Sequence, residues 1–152
     1  MGLAAARRPE RGASGPFSGP HTPLYALSML TVGVDIVEIP RIEQALQRFG
    51  ERFLRRIYTD DEVRFCRGRV PELAARFAAK EAVMKALGTG VRGVGWREIE
   101  VLPMRGGKPL VYLHDRAHRR AVALGIGEIA VSLTHSAGVA IAVVAAEMAG
   151  RG

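Results

Sequence analysis

The strongest constraint on the fold is a long helix that the sequence predicts between Pro71 and Gly88. Proline is favoured in the first turn of a helix, and glycine is favoured just beyond its end. The apolar residues between them repeat at helical spacing and form a stripe of Leu73, Phe77, Met84 and Leu87. A second side carries only alanines, namely Ala74, Ala75, Ala78, Ala79, Ala82 and Ala86. Because alanine lets another backbone approach closely, we expect protein to surround most of this helix.

Three charged residues interrupt this helix and need an explanation. Lys80 falls inside the apolar stripe, Glu81 lies at its edge, and Lys85 follows one turn later. An unpaired ammonium in such a stripe is costly. In one interpretation, Glu81 and Lys85 form an ordinary surface ion pair at four-residue spacing while Lys80 extends to solvent. In the other, Glu81 is an oxygen ligand for a hard cation and both lysines face phosphate. The helix alone leaves both interpretations open.

The segment "LTVGVDIVEI", residues 30–39, raises the same question for Asp35. Its β-branched residues indicate a strand, and apolar residues on both sides of it indicate that both faces are covered. Asp35 must then be paired, act as a cap or bind a metal. A carboxylate on a strand and one on a helix can share Mg²⁺, which takes one or two protein carboxylates and completes its shell with waters and phosphate oxygens. Asp35 and Glu81 are therefore candidate ligands.

The remaining elements favour the α+β class. After the first strand come a helix from Pro40 to Gly50, helices over 51–58 and 60–68, the long helix, strands over 96–104 and 108–114, a helix over 115–125, and strands over 128–135 and 138–147. Thr59 and Glu62 have the spacing of a capping box. Short turns between consecutive strands imply a mostly antiparallel sheet, and we expect the helices to pack on one face of it.

The net charge of +7 limits the partners of the chain. A basic surface attracts nucleic acid, phosphorylated small molecules or acidic proteins. Part of the charge is concentrated in Arg41, Arg48, Arg52, Arg55 and Arg56. One alternative is a nucleic-acid-binding module without catalysis, but such a module favours aromatic residues among the basic ones, and aromatics are few here. Another is a different Mg²⁺-dependent enzyme that cleaves pyrophosphate, which is expected to cluster more than two carboxylates.

Composition also divides the chain and suggests where it works. Residues 1–28 are rich in Gly, Pro, Ser and Arg, so we expect them to lack a fixed structure and to precede a single domain over 29–152. Cys66 is the only cysteine, which excludes an intrachain disulfide and favours a reducing compartment such as the cytoplasm. The longest uncharged apolar run, residues 137–146, is too short to cross a membrane.

A histidine at a strand end, His135, completes the list of candidate residues. Such a histidine is commonly a structural hydrogen-bonding residue, and otherwise a phosphate contact or a proton carrier. The sequence contains no serine-nucleophile motif, no HExxH pair and no GxxxxGK[ST] loop. Covalent catalysis therefore has no candidate.

Three segments together closely resemble the holo-[acyl-carrier-protein] synthases, the short type of 4'-phosphopantetheinyl transferase. They are "GVDIVEIPRI", "RFAAKEAVMKALGTG" and "VSLTHSAGVAIAVV", in this order and spacing. The resemblance implies the fold of that family, assembly as a trimer, and a defined reaction. In that reaction a serine hydroxyl of apo-acyl carrier protein attacks the β-phosphate of coenzyme A. The products are holo-acyl carrier protein and adenosine 3',5'-bisphosphate.

The resemblance also implies roles for individual residues. Asp35 and Glu81 would bind Mg²⁺, and Lys80 and Lys85 would neutralise the pyrophosphate, with Lys85 counted as catalytic. The turn of Gly88, Thr89 and Gly90 would border the coenzyme, and His135 would lie close to it. Arg41, with Arg48 and Arg52 in the same cluster, would contact the acidic recognition helix of the carrier protein. The acceptor of the serine proton stays open between a metal-bound water and Asp35 acting through a water, as does the choice between a fatty-acid and a polyketide carrier.

Overall fold

The computed structural model describes residues 28–149. The segment predicted to lack a fixed structure therefore lies, up to residue 27, outside the described residues. In chain order the elements are β1 (Ser28–Glu38), α1 (Ile39–Phe49), α2 (Glu51–Ile57), α3 (Asp60–Cys66), α4 (Val70–Leu87), α5 (Gly90–Gly93), a 3₁₀ turn (Trp96–Glu98), β2 (Ile99–Pro103), β3 (Pro109–Leu113), α6 (Asp115–Ala123), β4 (Ala130–Ser136) and β5 (Val139–Ala149).

The strands form two antiparallel sheets. The larger sheet has the order β1-β5-β4, and β2 pairs with β3 in a hairpin. In the larger sheet Asp35 lies opposite Ala142 of β5, which in turn lies opposite Leu133 of β4. Helix α4 packs on one face of this sheet, where Ala78, Ala82 and Ala142 are fully buried. The predicted α+β class is confirmed.

Local signals in the sequence explain most element boundaries. The capping box of Thr59 and Glu62 is formed at the start of α3. Gly88 ends α4 in the left-handed conformation, with a φ of 68°. The segment predicted as a strand over 96–104 instead begins with a 3₁₀ turn and becomes extended at Ile99. The short helix α5 was not predicted.

Strand β1 lies so close to helix α4 that it touches the backbone of the helix. The hydroxyl of Thr31 donates a hydrogen bond of 2.8 Å to the carbonyl oxygen of Ala86. A Cβ atom placed on Gly33 would lie 1.9 Å from the carbonyl oxygen of Ala82 and 3.1 Å from the amide nitrogen of Ala86. The alanine side of the helix therefore fits against a glycine of the strand, as the sequence led us to expect for a closely approaching backbone.

The two faces of β1 differ, which corrects one expectation. We predicted a strand covered on both faces, but α4 covers only the side that carries Gly33, Asp35 and Val37. The opposite side exposes large apolar residues, with exposed fractions of 68% for Leu30, 63% for Val32, 55% for Val34 and 61% for Ile36. An apolar pattern on both sides of a strand does not distinguish burial within one chain from burial against another.

A buried ion pair connects α4 to α3 and β2. The ammonium of Lys80 lies 2.8 Å from Oε2 of Glu62, and neither side chain is exposed. Lys80 also donates hydrogen bonds to the carbonyl oxygens of Trp96, at 3.0 Å, and Ile99. Glu62 in turn accepts a hydrogen bond of 2.8 Å from the backbone amide of Val101. Burial lowers the pKa of Lys80, while the charge of Glu62 opposes that shift. These bonds restrict rotation of α4 about its axis.

No helix within residues 28–149 is both long enough and apolar enough to cross a bilayer.

Substituting Gly33 tests the contact between α4 and β1. We expect Gly33→Ala to lower the free energy of unfolding by about 3 kcal/mol, because its Cβ collides with backbone atoms that cannot rotate away. The measurement is urea unfolding followed by circular dichroism. Gly127→Ala is the matched control, since a Cβ there meets no atom within 4 Å. Equal stability of the two variants would contradict the close contact.

Candidate active site

Strand β1 and helix α4 bring together three residues that the sequence singled out. The ammonium of Lys85 lies 3.0 Å from Oδ1 of Asp35 and donates a second hydrogen bond of 2.8 Å to the carbonyl oxygen of Val34. Glu81 precedes Lys85 by one helical turn, on the same side of α4. The contact at Gly33 positions this part of the helix above the strand. Asp35 is therefore paired, which is one of the outcomes predicted for it.

The two carboxyl groups influence each other. Burial raises the pKa of Glu81 above its ordinary value, and the neighbouring carboxyl group of Asp35 raises it further. Lys85 and Arg41 act in the opposite direction and lower it. The side chain of Asp35 is 11% exposed. Two carboxyl groups so close together disfavour each other's ionisation, and Lys85 and Arg41 offset this effect only in part.

This pair of carboxylates fits Mg²⁺ on structural grounds. Oδ2 of Asp35 is buried and has no hydrogen-bond partner among the described residues. An orphaned buried carboxylate oxygen is costly unless a cation or donor reaches it. Residues 28–149 contain no cluster of three or more His, Cys, Asp or Glu side chains that could hold a metal. Two carboxylates suffice for Mg²⁺, because waters and phosphate oxygens complete its octahedral shell.

The position of Lys80 corrects a prediction. We expected both lysines of α4 to face the pyrophosphate, but Lys80 points away from Asp35 and is enclosed by Glu62 and two backbone carbonyl oxygens. With no exposed surface, its ammonium cannot reach a phosphate. The apolar stripe that contains Lys80 faces the protein interior, and Glu62 supplies the buried partner. Of the two lysines, only Lys85 lies at the carboxylate pair.

Sequence reasoning missed Glu62 as the partner of Lys80. It identified this residue as the third position of a capping box, and the structure confirms that its Oε2 accepts a hydrogen bond of 2.8 Å from the amide of Thr59. The sequence held one further signal, since Glu62 lies one turn before Cys66 on α3 and cysteine is among the residue types most often buried. That spacing places the carboxylate towards the core, although it does not identify the partner.

The turn after α4 lies next to Lys85. Gly88 and Gly90 both have positive φ angles, of 68° and 59°. The hydroxyl of Thr89 is buried and lacks a hydrogen-bond partner among the described residues, so it points inward. Arg120 of α6, which the sequence did not single out, donates a hydrogen bond of 3.0 Å from Nε to the carbonyl oxygen of Leu87. This turn therefore combines an open glycine backbone with a nearby guanidinium.

The remaining candidate residues lie at different distances from the carboxylate pair. Arg41 is close enough for its charge to lower the pKa of Glu81. Arg48 lies near the end of α1, and Arg52 lies on α2. His135 is exposed on β4, two strands away from β1 and opposite Ala140. Because neighbouring strands are about 4.8 Å apart, His135 lies roughly 10 Å from β1. The structure does not bring His135 to the carboxylate pair within one chain.

Comparison with known proteins identifies the family. The family model of the 4'-phosphopantetheinyl transferase superfamily matches residues 31–144. The chain is 52% identical to the holo-[acyl-carrier-protein] synthase of Herpetosiphon aurantiacus over 123 residues, which cover 76% of this chain and 97% of that relative.

Solved structures agree with this assignment. The chain is similar to the holo-[acyl-carrier-protein] synthase of Helicobacter pylori in complex with coenzyme A, with a TM-score of 0.70 and 34% identity over 76% of this chain and 98% of that one. The synthase from Neisseria meningitidis gives a TM-score of 0.71 and 35% identity, covering 76% and 96%. The matched region contains the carboxylate pair and all of α4. The chain therefore belongs to the 4'-phosphopantetheinyl transferase superfamily, and within it to the holo-[acyl-carrier-protein] synthases.

Proposed function

We propose that the chain transfers the 4'-phosphopantetheine group of coenzyme A to a serine of apo-acyl carrier protein in a Mg²⁺-dependent reaction. The observation that carries the proposal is the juxtaposition of Asp35, Glu81 and Lys85 in a chain of the holo-[acyl-carrier-protein] synthase family. Family membership favours this enzyme over the alternatives of a nucleic-acid-binding module and of another pyrophosphate-cleaving enzyme. The cytoplasm remains our predicted location.

The reaction is a phosphoryl-type transfer. The serine oxygen forms a bond to the β-phosphorus of coenzyme A, and the bond between that phosphorus and the bridging oxygen breaks. The serine proton passes to a water molecule, and the bridging oxygen leaves as a phosphate oxygen of adenosine 3',5'-bisphosphate. Such transfers need positioning and charge neutralisation more than covalent help from the protein. This requirement suits a site that holds acids and a lysine but no nucleophile.

The residues at the site divide these tasks. Asp35 and Glu81 would hold Mg²⁺, which supplies neutralisation of the pyrophosphate charge when bound. Lys85 is 55% exposed and its ammonium can turn from Asp35 to an incoming phosphate oxygen. Gly88 and Gly90 would let the coenzyme approach the backbone, since neither carries a Cβ. The hydroxyl of Thr89 has no hydrogen-bond partner among the described residues, and its contact with the coenzyme is a prediction of the resemblance.

Substitution of the carboxylates tests the proposed reaction. We expect the chain to add phosphopantetheine to apo-acyl carrier protein in the presence of coenzyme A and Mg²⁺, and a chelator to abolish the addition. Asp35→Asn and Glu81→Gln should each lower turnover at least about 100-fold, because each removes a ligand of the cation that neutralises charge. Mass spectrometry of the carrier protein measures the adduct.

Two controls make this result interpretable. Glu128→Gln removes an exposed carboxylate outside the site and should leave turnover unchanged. Thermal unfolding should show that Asp35→Asn and Glu81→Gln remain folded. Near-normal turnover in either variant would refute the role of that carboxylate, and the absence of any chelator-sensitive adduct would refute the proposed function.

The basic surface on α1 and α2 is the proposed docking site for the carrier protein. Arg48 and Arg52 form no ion pair within residues 28–149, whereas the neighbouring Arg55 is paired with Glu51 at 2.9 Å. Arg52 lines a groove together with Arg56 and the apolar residues Ala45, Phe49, Phe53, Ile57, Phe77 and Trp96. Unpaired guanidinium groups beside exposed apolar side chains suit an acidic amphipathic helix. Arg41, whose charge acts on Glu81, lies about two turns before Arg48 on α1.

Charge reversal distinguishes docking of the carrier from binding of the coenzyme. Arg48→Glu should raise the KM for apo-acyl carrier protein about tenfold and leave the KM for coenzyme A unchanged, because an exposed charge at a docking surface acts mainly on encounter. The increase should shrink at high salt, since exposed charges are screened. Arg119→Glu on α6 is the matched control. An unchanged KM for the carrier in Arg48→Glu would contradict the docking site.

The exposed side of the larger sheet is the proposed contact between copies of the chain in a homotrimer. Leu30, Val32, Val34 and Ile36 of β1 are exposed next to Val143 of β5, which is 46% exposed and lies opposite Val34. A contiguous apolar patch on a sheet typically marks an interaction surface. Because the chain resembles synthases that form trimers, we propose that further copies of this chain cover the patch.

Light scattering coupled to size exclusion tests the assembly. The wild-type chain should have three times the mass of one chain, and Val32→Lys should dissociate it, because the new ammonium would be buried without a partner. Val122→Lys on α6 is a matched control, since Val122 is 62% exposed and Val32 is 63% exposed. An active wild-type monomer would exclude the trimer.

A further inference from the structure

Arg120 lies on α6 and is held against the C-terminal end of α4. Its Nε donates a hydrogen bond of 3.0 Å to the carbonyl oxygen of Leu87. Its Nη2 lies 3.8 Å from the point that a Cβ on Gly88 would occupy, and no other described atom outside residues 87–89 lies within 4 Å of that point. The guanidinium is therefore fixed at one end and borders the open side of the glycine turn.

The other nitrogens of Arg120 remain available to a ligand. Among residues 28–149, Nη1 and Nη2 form neither a hydrogen bond nor an ion pair, although the guanidinium of Arg116 on the same helix pairs with Glu98 at 2.7 Å. The hydrogen bond to the carbonyl oxygen of Leu87 uses Nε alone. A guanidinium with free parallel donors is well suited to a phosphate group, which it can bind through two hydrogen bonds.

The two cations beside the turn are anchored at separate places. Lys85 is held on the β1 side by Asp35 and the carbonyl oxygen of Val34, whereas Arg120 is held beyond the last turn of α4. Gly88 follows Lys85 by three residues, which corresponds to about 4.5 Å along the helix axis. Coenzyme A also carries two separate anionic groups, because its ribose lies between the pyrophosphate and the 3'-phosphate. Lys85 thus lies at the proposed site of transfer, and Arg120 lies at the glycine turn after the end of α4.

We propose that Arg120 binds the 3'-phosphate of coenzyme A and so makes the chain prefer this donor over donors that lack the 3'-phosphate. The inference rests on the proposed function, in which Asp35, Glu81 and Lys85 hold the pyrophosphate region. The Leu87 carbonyl orients the guanidinium, and the missing Cβ of Gly88 leaves room for the phosphate beside it. Arg120 is accordingly a specificity-determining residue that contacts the substrate away from the reacting atoms.

Nucleotide binding tests this assignment without depending on turnover. Isothermal titration calorimetry in Mg²⁺ buffer compares adenosine 3',5'-bisphosphate with adenosine 5'-monophosphate. We expect Arg120→Gln to weaken binding of the bisphosphate about tenfold, as for loss of a hydrogen bond to a charged group. It should change binding of the monophosphate less than about twofold. Arg119→Gln, which removes the same charge from the neighbouring position of α6, should change neither. Equal losses for both nucleotides, no loss in Arg120→Gln, or the same loss in Arg119→Gln would each overturn the assignment.

Two further measurements distinguish loss of the 3'-phosphate contact from loss of folding and from failure of the proposed function. Arg120→Lys keeps the charge without the two-donor geometry and should give an intermediate loss of bisphosphate binding. If Arg120→Gln unfolds, Arg120→Lys tests the same contact. In the transfer assay, Arg120→Gln should raise the KM for coenzyme A, leave kcat unchanged and leave the KM for 3'-dephospho-coenzyme A unchanged. If wild type binds the bisphosphate through Arg120 yet transfers nothing, the proposed function fails and the subsite stands. If wild type transfers normally and Arg120→Gln shows no change in binding or KM, the subsite alone fails.

Discussion

The backbone contact between Gly33 of β1 and Ala82 of α4 determines the rest of the site. A side chain at position 33 would collide with the helix, so the two elements meet only because the strand carries glycine and the helix carries alanine there. Two residues further along β1 from this glycine, Asp35 reaches Lys85 and lies beside Glu81. Tight packing of apolar elements thus produces the unfavourable proximity of two carboxylates. A cation that bridges them would relieve this repulsion, which links stability of the packing to binding of metal.

Adjacent residues of α4 have opposite roles. Lys80 is fully buried with Glu62 and ties the helix to α3 and β2, while Glu81 faces the strand with Asp35. A buried ion pair contributes little net stability, but removing one partner is costly because the other charge remains buried. We interpret the pair as a device that fixes the rotation of α4. If α4 rotated about its axis, Glu81 would move away from Asp35.

Much of the fold was predictable because its signals are local. Pro71 and Gly88 delimit α4, the capping box starts α3, and short turns imply antiparallel strands; the structure confirms each of these. The site was predictable as far as two carboxylates sharing one location. The partner of Lys80 was not, because Glu62 lies on another helix and only tertiary packing brings it close. The exposed side of β1 could not be recognised either, since apolar residues look alike in sequence whether their own chain or another covers them. The position of Arg120 at the end of α4 could not be predicted either, because nothing in the sequence distinguishes it from Arg116 and Arg119 on the same helix.

The central claim is that the packing of α4 on β1 creates a divalent-cation site between Asp35 and Glu81. The most direct measurement is anomalous X-ray scattering from crystals soaked in Mn²⁺, which substitutes for Mg²⁺ and can be located by its own signal. We predict one peak in each chain, within coordination distance of carboxylate oxygens of both Asp35 and Glu81. A peak bound elsewhere in the chain, or no peak at this pair when Mn²⁺ supports the transfer reaction, would contradict the account.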